Sequence, residues 1–414
     1  MAIASTSNES SDAKKPRINL DGDKKTGAYQ RHQSAHRNFV GSDQHPVEAG
    51  RYHLHIALAC PWAGKLAESL CIVPSLFQKK VVLACASLHL LYCVRVLHTY
   101  RILCSQYILT PCTSPLSPPF FCTNNKDGTL AALFIKGLKD TISYSVVHPT
   151  WGKTKPDDST DRHYGWVYRN PGDEPFPNPL GHEANECDDA LIPDPSGVTS
   201  IRELYELSGD NQGPFTTPVL FDKKLNRIVN NESTEILRML NFDFNDHAKN
   251  ADLNLYPEKQ EAELAKLNDT TIYPKVNNGV YRSGFARSQQ AYEVAVNELF
   301  DTIEELEQRL SNQRYLSGDT FTWLDLRLFM TLVRFDPVYT TYFKTNLNRI
   351  ADYPSLLGYV RDIYQMDPVK RAINMNHIKT HYFTSHPHLN TFGIIPISNG
   401  PDLAVPSGRE KLSM

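Results

Sequence analysis

The chain has 414 residues, 41% of them hydrophobic and 21% charged, which is enough apolar material for two or three domains and excludes a disordered chain. With 43 Lys and Arg against 46 Asp and Glu the net charge is −3, so the basic excess of a general nucleic-acid binder is missing. Eight cysteines are too few for a disulfide scaffold, and the Ser-, Lys- and Asp-rich start lacks an apolar signal stretch, so a reducing intracellular compartment is expected.

Residues 1–47 read as a polar, poorly ordered extension, within which TGAYQRHQSAHRNF packs locally at most. Arg51 to Leu58 alternates with period two, Tyr52, Leu54 and Ile56 against His53, His55 and Ala57, and predicts a strand. It runs into Ala59-Cys60-Pro61-Trp62-Ala63, where a proline directly after Cys60 suits the first turn of a helix.

Six of the eight cysteines (Cys71, Cys85, Cys93, Cys104, Cys112 and Cys122) crowd into residues 66–128. The same block holds an apolar stretch from Val81 to Leu97, broken only by His89 and Arg95, and closes on TPCTSPLSPPFFCTNN. A membrane span is one reading, but the stretch is shorter than about 20 residues and carries Arg95. A metal site is another, but no pair has CxxC or CxH spacing. The favoured reading is an insertion into a domain that starts before the block and resumes after it.

Downstream, Thr129–Gly137 predicts a short helix ending on glycine, and Ile142–Val147 a β-branched strand. Residues 150–214 are rich in Asp, Pro, Gly and Asn and predict loop, with a brief helix at Ile201–Leu207. Thr217–Asp222 and Asn226–Asn230 read as a hairpin, followed by a helix from Ser233. The order β, α, β, long crossover, β, β, α is thioredoxin-like, with Pro218 expected in cis. From about residue 255 the pattern is all-helical. Gln290–Leu310 places Tyr292, Val296, Leu299, Phe300, Ile303, Leu306 and Leu310 on one stripe. Thr322–Asp325 forms a capping box, and helices follow at Ser355–Tyr364 and Pro368–Asn374. The fold class is therefore α/β plus all-α.

Cys60 is the candidate nucleophile. At a helix N-terminus the macrodipole and unpaired N–H groups favour the thiolate. Ala63 stands where a CxxC motif has its second thiol, so the resolving thiol comes from outside, most simply as glutathione. The alternative is a buried structural cysteine. Thr217 before Pro218 offers its backbone to an extended thiol peptide. Glu232 and Ser233 suit an α-ammonium and a carboxylate at a helix start, though alone they are an ordinary N-terminus. His377 and His381 lie one helical turn apart, with His386 and His388 behind, but no matching acidic or Cys cluster accompanies them, so no metal is expected. His53 and His55 share a strand face and read as packing residues.

Several motifs occur together and in order: Gly-Arg-Tyr-His-Leu (50–54) into Ala-Cys-Pro-Trp-Ala (59–63), Gly165-Trp166-Val167, Thr217-Pro218-Val219-Leu220, Asn231-Glu232-Ser233, Arg334-Phe335-Asp336-Pro337-Val338-Tyr339, and the tail from His377-Ile378-Lys379 through His381-Tyr382-Phe383 to Gly393-Ile394-Ile395-Pro396. This set resembles the glutathionyl-hydroquinone reductases, the Xi class of glutathione transferases, most closely plant and algal members. The resemblance implies a glutathione transferase fold. Its thioredoxin-like domain would span 48–245, its all-helical domain 255–385 and a tail 386–414. Deleting 66–128 joins CPWAGK to TLAALFIKG and restores the family's first helix, so the block is read as an insertion whose proposed origin is a retained intron or gene-model error.

The roles implied are Cys60 as nucleophile, with Trp166, Thr216, Thr217, Glu232 and Ser233 holding glutathione. Tyr281 would exchange a proton with the quinol oxygen, and Tyr339 and Tyr382 would donate hydrogen bonds to the Cys60 thiolate. The basic residue that relatives carry shortly before the Thr-Pro is absent at Gly213-Pro214-Phe215. The implied reaction reduces a glutathionyl-hydroquinone through a Cys60–glutathione disulfide, with no metal, in a cytoplasmic homodimer or alternatively in the chloroplast. Three alternatives stand beside it: an Omega-like thioltransferase or dehydroascorbate reductase, a catalytically impaired glutathione-binding protein if the insertion is real, and a form tethered to a membrane through 81–97.

Overall fold

The computed structural model describes residues 26–29, 34–59 and 128–412. Cys60 and the Cys-rich block, apart from Gly128, lie outside the described residues, so the expectations that fall on them are carried forward unchanged. Among the described residues no helix is long and apolar enough to cross a membrane.

Strand β1 (Tyr52–Ile56) is buried along its whole length. It pairs parallel with β2 (Ser143–Val146), His53 opposite Ser143 and His55 opposite Ser145. On its other edge it pairs antiparallel with β3 (Val219–Asp222), Leu54 opposite Leu220. A hairpin turning at Asn226, in the left-handed region at φ 52°, adds β4 (Arg227–Asn230) and gives the order β2-β1-β3-β4. Thr217–Pro218 is cis as expected, and Gly213–Pro214 is a second cis bond.

The alternation of β1 feeds two cores. Leu54 and Ile56 pack with Leu130 and Leu133 of α1 (Gly128–Ile135) and with Ile236 and Leu240 of α3 (Ser233–Asn241), which is numbered here after α2 (Ile201–Leu207) of the crossover. Ala57 packs on the other side with Trp151, Trp166, Val219, Phe221 and, from α2, Leu204 and Tyr205. All eight residues of α1 are buried, as a helix apolar on every side requires. It stops where Gly137 takes φ 69° and the Leu138 N–H reaches back to the Leu133 carbonyl at 2.9 Å. The crossover is loop with α2 at its predicted bounds, plus two ladders of two residues per strand, Gly152–Lys153 with Tyr164–Gly165 and Phe176–Pro177 with Ala184–Asn185.

The polar extension is shorter than its composition implies. β4 is an edge strand with unpaired backbone groups, and the segment around residues 36–38 supplies partners. The Asn38 N–H donates to the Val229 carbonyl at 3.0 Å, and Arg37 bridges Asn230. Val40 and His45 are buried, and His45 Nδ1 lies 2.9 Å from Asp222, which also receives the Arg51 guanidinium at 2.6 Å.

The helical half begins, inside the expected all-helical region, with elements that had no individual bounds in the sequence pattern: α4 (Glu258–Leu267), a π-helical stretch Asn268–Asn277 and α5 (Gly279–Gly284). Helix α6 (Gln289–Asn312) buries the predicted stripe except Tyr292, which is half-buried. Helix α7 (Trp323–Leu332) is buried throughout and starts on the predicted capping box. Helix α8 (Pro354–Tyr364) carries proline in its first turn, α9 (Asp367–Lys370) stops short of Asn374, and α10 (Met375–Thr384) follows. The tail returns to this half: Arg409 donates to the Leu310 carbonyl at 2.9 Å and to that of Gln313 at 2.5 Å, at the C-terminal end of α6.

Asp325 organises the start of α7. Its carboxylate accepts from the Thr322 N–H at 2.9 Å, the Leu316 N–H at 2.8 Å and the Tyr359 hydroxyl at 3.0 Å, although burial pushes its pKa up. Asp325→Ala strands all three donors in a dry site. It should cost about 3 kcal/mol of unfolding free energy, read as a lower urea midpoint.

Candidate active site

Three tyrosines, widely separated in sequence, meet in the helical half. Tyr281 comes from α5, Tyr339 ends the π-helical turn Phe335–Tyr339, and Tyr382 lies on α10. The Tyr382 hydroxyl is 2.6 Å from that of Tyr281 and 3.1 Å from that of Tyr339. All three rings are buried. Burial, reinforced by the two neighbouring phenols, pushes the Tyr382 pKa well above its ordinary value, while the fully buried Arg334 acts in the opposite direction. Tyr382 is therefore a neutral hydroxyl at physiological pH, able to donate and accept at once.

Phe343 fixes the group. Its ring stacks on Tyr339 at 5.4 Å and lies 5.2 Å from Tyr281. It can do so because residue 284 is glycine: a Cβ there would fall 2.0 Å from Phe343 Cδ1.

Helix α10 also reaches the sheet-containing half. His381, beside Tyr382, stacks on Trp166 with ring centroids 4.4 Å apart and 27° between planes. Its Nδ1 donates to the Pro149 carbonyl at 2.9 Å. The backbone N–H of Trp151 donates to Ser385 Oγ at 3.0 Å, and Thr150 and Thr384 share a hydroxyl bond of 2.8 Å. Trp166 and Tyr382 are thus held by adjacent residues of one helix. His377 turns away to Asp188 at 2.8 Å, so the histidines one turn apart serve different partners.

Thr216 and Thr217 are buried ahead of β3. The Tyr205 hydroxyl lies 3.0 Å from Thr216 Oγ1 and accepts from the Thr216 N–H at 3.2 Å. Asn231 Nδ2 donates to Tyr205 Oη at 2.8 Å and to Thr216 Oγ1 at 3.3 Å. The next residue, Glu232, accepts from Ser34 Oγ at 2.9 Å and, as the cap of α3, leads into Ser233. The structure therefore brings Thr216, Thr217, Glu232 and Ser233 to one corner through Tyr205 and Asn231, and links Trp166 to the tyrosines through His381. The position of Cys60 relative to both groups lies outside the described residues.

Sequence reasoning missed Tyr205, His381 and Ser34 as partners of the site. Asn231 stood in a quoted motif without a role. An amide directly before Glu232 and Ser233 at a strand–helix junction is the one local signal that pointed to a polar anchor.

The family model of the glutathione S-transferase C-terminal domain matches residues 289–362. The glutathionyl-hydroquinone reductase YqjG of Escherichia coli K12 is 35% identical over 395 residues, covering 93% of this chain and 93% of that protein. The glutathionyl-hydroquinone reductase PcpF of Sphingobium chlorophenolicum is 39% identical over 273 residues, covering 66% of this chain and 78% of its own. Among solved structures, the Xi glutathione transferase of Phanerochaete chrysosporium is 34% identical with a TM-score of 0.67, covering 92% of this chain and 95% of its own. The glutathione-bound structure of YqjG is 32% identical with a TM-score of 0.65, covering 93% and 97%.

Two measurements test this packing. Gly284→Ala must displace Phe343, and should lower stability by about 2 kcal/mol in urea denaturation. The pH dependence follows from buried imidazoles: desolvation lowers His381 to about 3 and His148 and His163 to about 4. Above the unfolded value near 6.5 both states are neutral and nothing is lost. As pH falls through 6.5 the unfolded chain takes up protons that the folded one refuses, so stability drops between about 6.5 and 4. The urea midpoint should fall steadily across that window.

Proposed function

The chain belongs to the glutathionyl-hydroquinone reductases, the Xi class of glutathione transferases, and has their fold; from that premise we propose that it reduces glutathionyl-hydroquinones to hydroquinones with glutathione as co-substrate. The observation that carries this reading is the buried chain of three tyrosine hydroxyls, which an ordinary thioltransferase has no need of.

In the proposed cycle the Cys60 thiolate attacks the sulfur of the aryl thioether. An S–S bond forms as the aryl C–S bond breaks; the ring carbon keeps the electron pair and takes a proton. The two sulfurs together give up two electrons, one each, in reaching the disulfide level, and the arene is reduced by two. A second glutathione thiolate then attacks the glutathione sulfur of this mixed disulfide, releasing oxidised glutathione and restoring Cys60. Tyr281 takes and returns the quinol proton, with Tyr382 and Tyr339 behind it to spread the developing charge over further hydroxyls. Thr217 pairs its backbone with the glutathione peptide, and Glu232 and Ser233 bind its charged end. Thr216 is held in place to support Thr217, and Trp166 packs against the tripeptide. A homodimer is part of the proposal.

The test is product formation from a glutathionyl-hydroquinone and glutathione, followed by chromatography. Cys60→Ser should abolish turnover, and mass spectrometry should show a single glutathione adduct on the native chain that this variant lacks. Tyr281→Phe should lower kcat on the quinol substrate by about 100-fold while leaving simple disulfide exchange intact. Disulfide exchange without turnover of the glutathionyl-hydroquinone, unchanged in Tyr281→Phe, would favour the Omega-like reading. An adduct that fails to form on the full chain but forms once 66–128 is removed would assign the full-length product to the catalytically impaired class.

A further inference from the structure

The face of the sheet away from α1 carries two buried histidines. His53 and His55, two apart on β1, point the same way, with ring centroids 4.6 Å apart. Asp194 approaches them from the crossover. Its Oδ2 lies 3.4 Å from His55 Nδ1 and 4.0 Å from His53 Nε2, and the three ligand atoms fall within 4.8 Å of one another. A tetrahedral ion with bonds of about 2.0–2.1 Å sets its ligand atoms about 3.3 Å apart. The Asp194–His55 pair already has nearly that spacing, and rotation of the His53 side chain has to bring its Nε2 in from 4.0 Å of Asp194.

We propose that His53, His55 and Asp194 form a binding site for a borderline divalent transition cation, zinc in the first instance, that clamps the crossover to the sheet. Three features make the group more than a chance cluster. The outer shell is present at two of the three ligands: His53 Nδ1 sits 2.7 Å from Ser143 Oγ, the contact that fixes a ligating imidazole, and the Ser196 N–H donates to Asp194 Oδ1 at 2.8 Å. Further oxygens stand beside the ligand atoms, Tyr168 Oη at 2.7 Å from His55 Nδ1 and Ser145 Oγ at 2.8 Å from His53 Nε2, so a fourth ligand or a water can complete the shell. An entry path exists, because Asp194 and Tyr168 line a crevice of 1070 Å³ together with Lys153, Arg169, Pro193 and Thr199. The donor set, two imidazoles and one carboxylate, suits zinc and not calcium or magnesium.

The ligands come from β1 and from the turn after Ile192, which bridges Val146 of β2. An ion here would tie two segments distant in sequence, and none of its ligands belongs to the proposed glutathione site. It revises the sequence-based reading of His53 and His55 as packing residues and the expectation of no metal.

The full-length protein, stripped with chelator in the presence of a phosphine reductant, is titrated with Co²⁺ and separately with Zn²⁺. The expected result is one equivalent of cobalt with a visible d–d band that brings no thiolate charge-transfer band, and a melting temperature raised by zinc. Asp194→Asn should weaken that binding by at least about tenfold, and Ser143→Ala, which removes only the outer contact, by about tenfold. Cobalt bound only with thiolate bands, or no cobalt at all, would overturn the site on the unaltered protein even if the variants fail to fold. Equal binding by Asp194→Asn would overturn it too.

Discussion

A strand with no solvent face constrains everything around it. β1 is buried at all five positions, so each of its side chains must be matched from one of two directions. Leu54 and Ile56 need an apolar partner, and α1, itself apolar all round, has no other place to go. The imidazoles on the other face need polar company in a dry layer. They find it in Ser143 and Ser145 of β2 and in Tyr168 and Asp194 of the crossover. The long connection is therefore held to the sheet by the polar needs of a strand far upstream of it.

Helix α10 plays the matching part in the other half. One of its residues stacks on Trp166 and the next joins the tyrosine chain, while Ser385 and Thr384 fasten its end to residues 150–151. The geometry between the proposed glutathione side and the quinol side is therefore set by the step of about 1.5 Å between two adjacent residues of one helix and not by two loops. Phe343 closes the arrangement against Gly284, and the fit there depends on a missing Cβ.

Much of this was legible in the chain, and the rest failed for identifiable reasons. Period-two alternation located β1, glycine located the end of α1, and the Thr322–Asp325 spacing located the start of α7, because each is a local signal. The stretch 258–284 lies in the region expected to be helical, but its separate elements carried no clear bounds: Asn, Asp, Thr and Pro274 are poor helix formers, and tertiary packing overrode them. Residues 34–47 looked like solvent-loving tail because their partners, the backbone of an edge strand and the carboxylates of Asp222 and Glu232, lie far off in sequence and leave no mark in composition. In the site, Tyr281, Tyr339 and Tyr382 carry no common spacing, and only the family motifs grouped them. Tyr205 and His381 act through contacts across the fold, where neither periodicity nor motif reports.

The tyrosine chain has one more property. Three hydroxyls hold three protons, but their mutual contacts consume only two, so at least one O–H always points out of the group. Which one is a matter of torsion: a turn about the C–O bonds reverses the direction of the chain without moving a ring or breaking the packing of Phe343. A proton taken up at Tyr281 can thus be answered by one released beyond Tyr339, with no carboxylate or imidazole in between. The row of phenols would then act as a short proton wire whose polarity is set by whatever sits at its two ends.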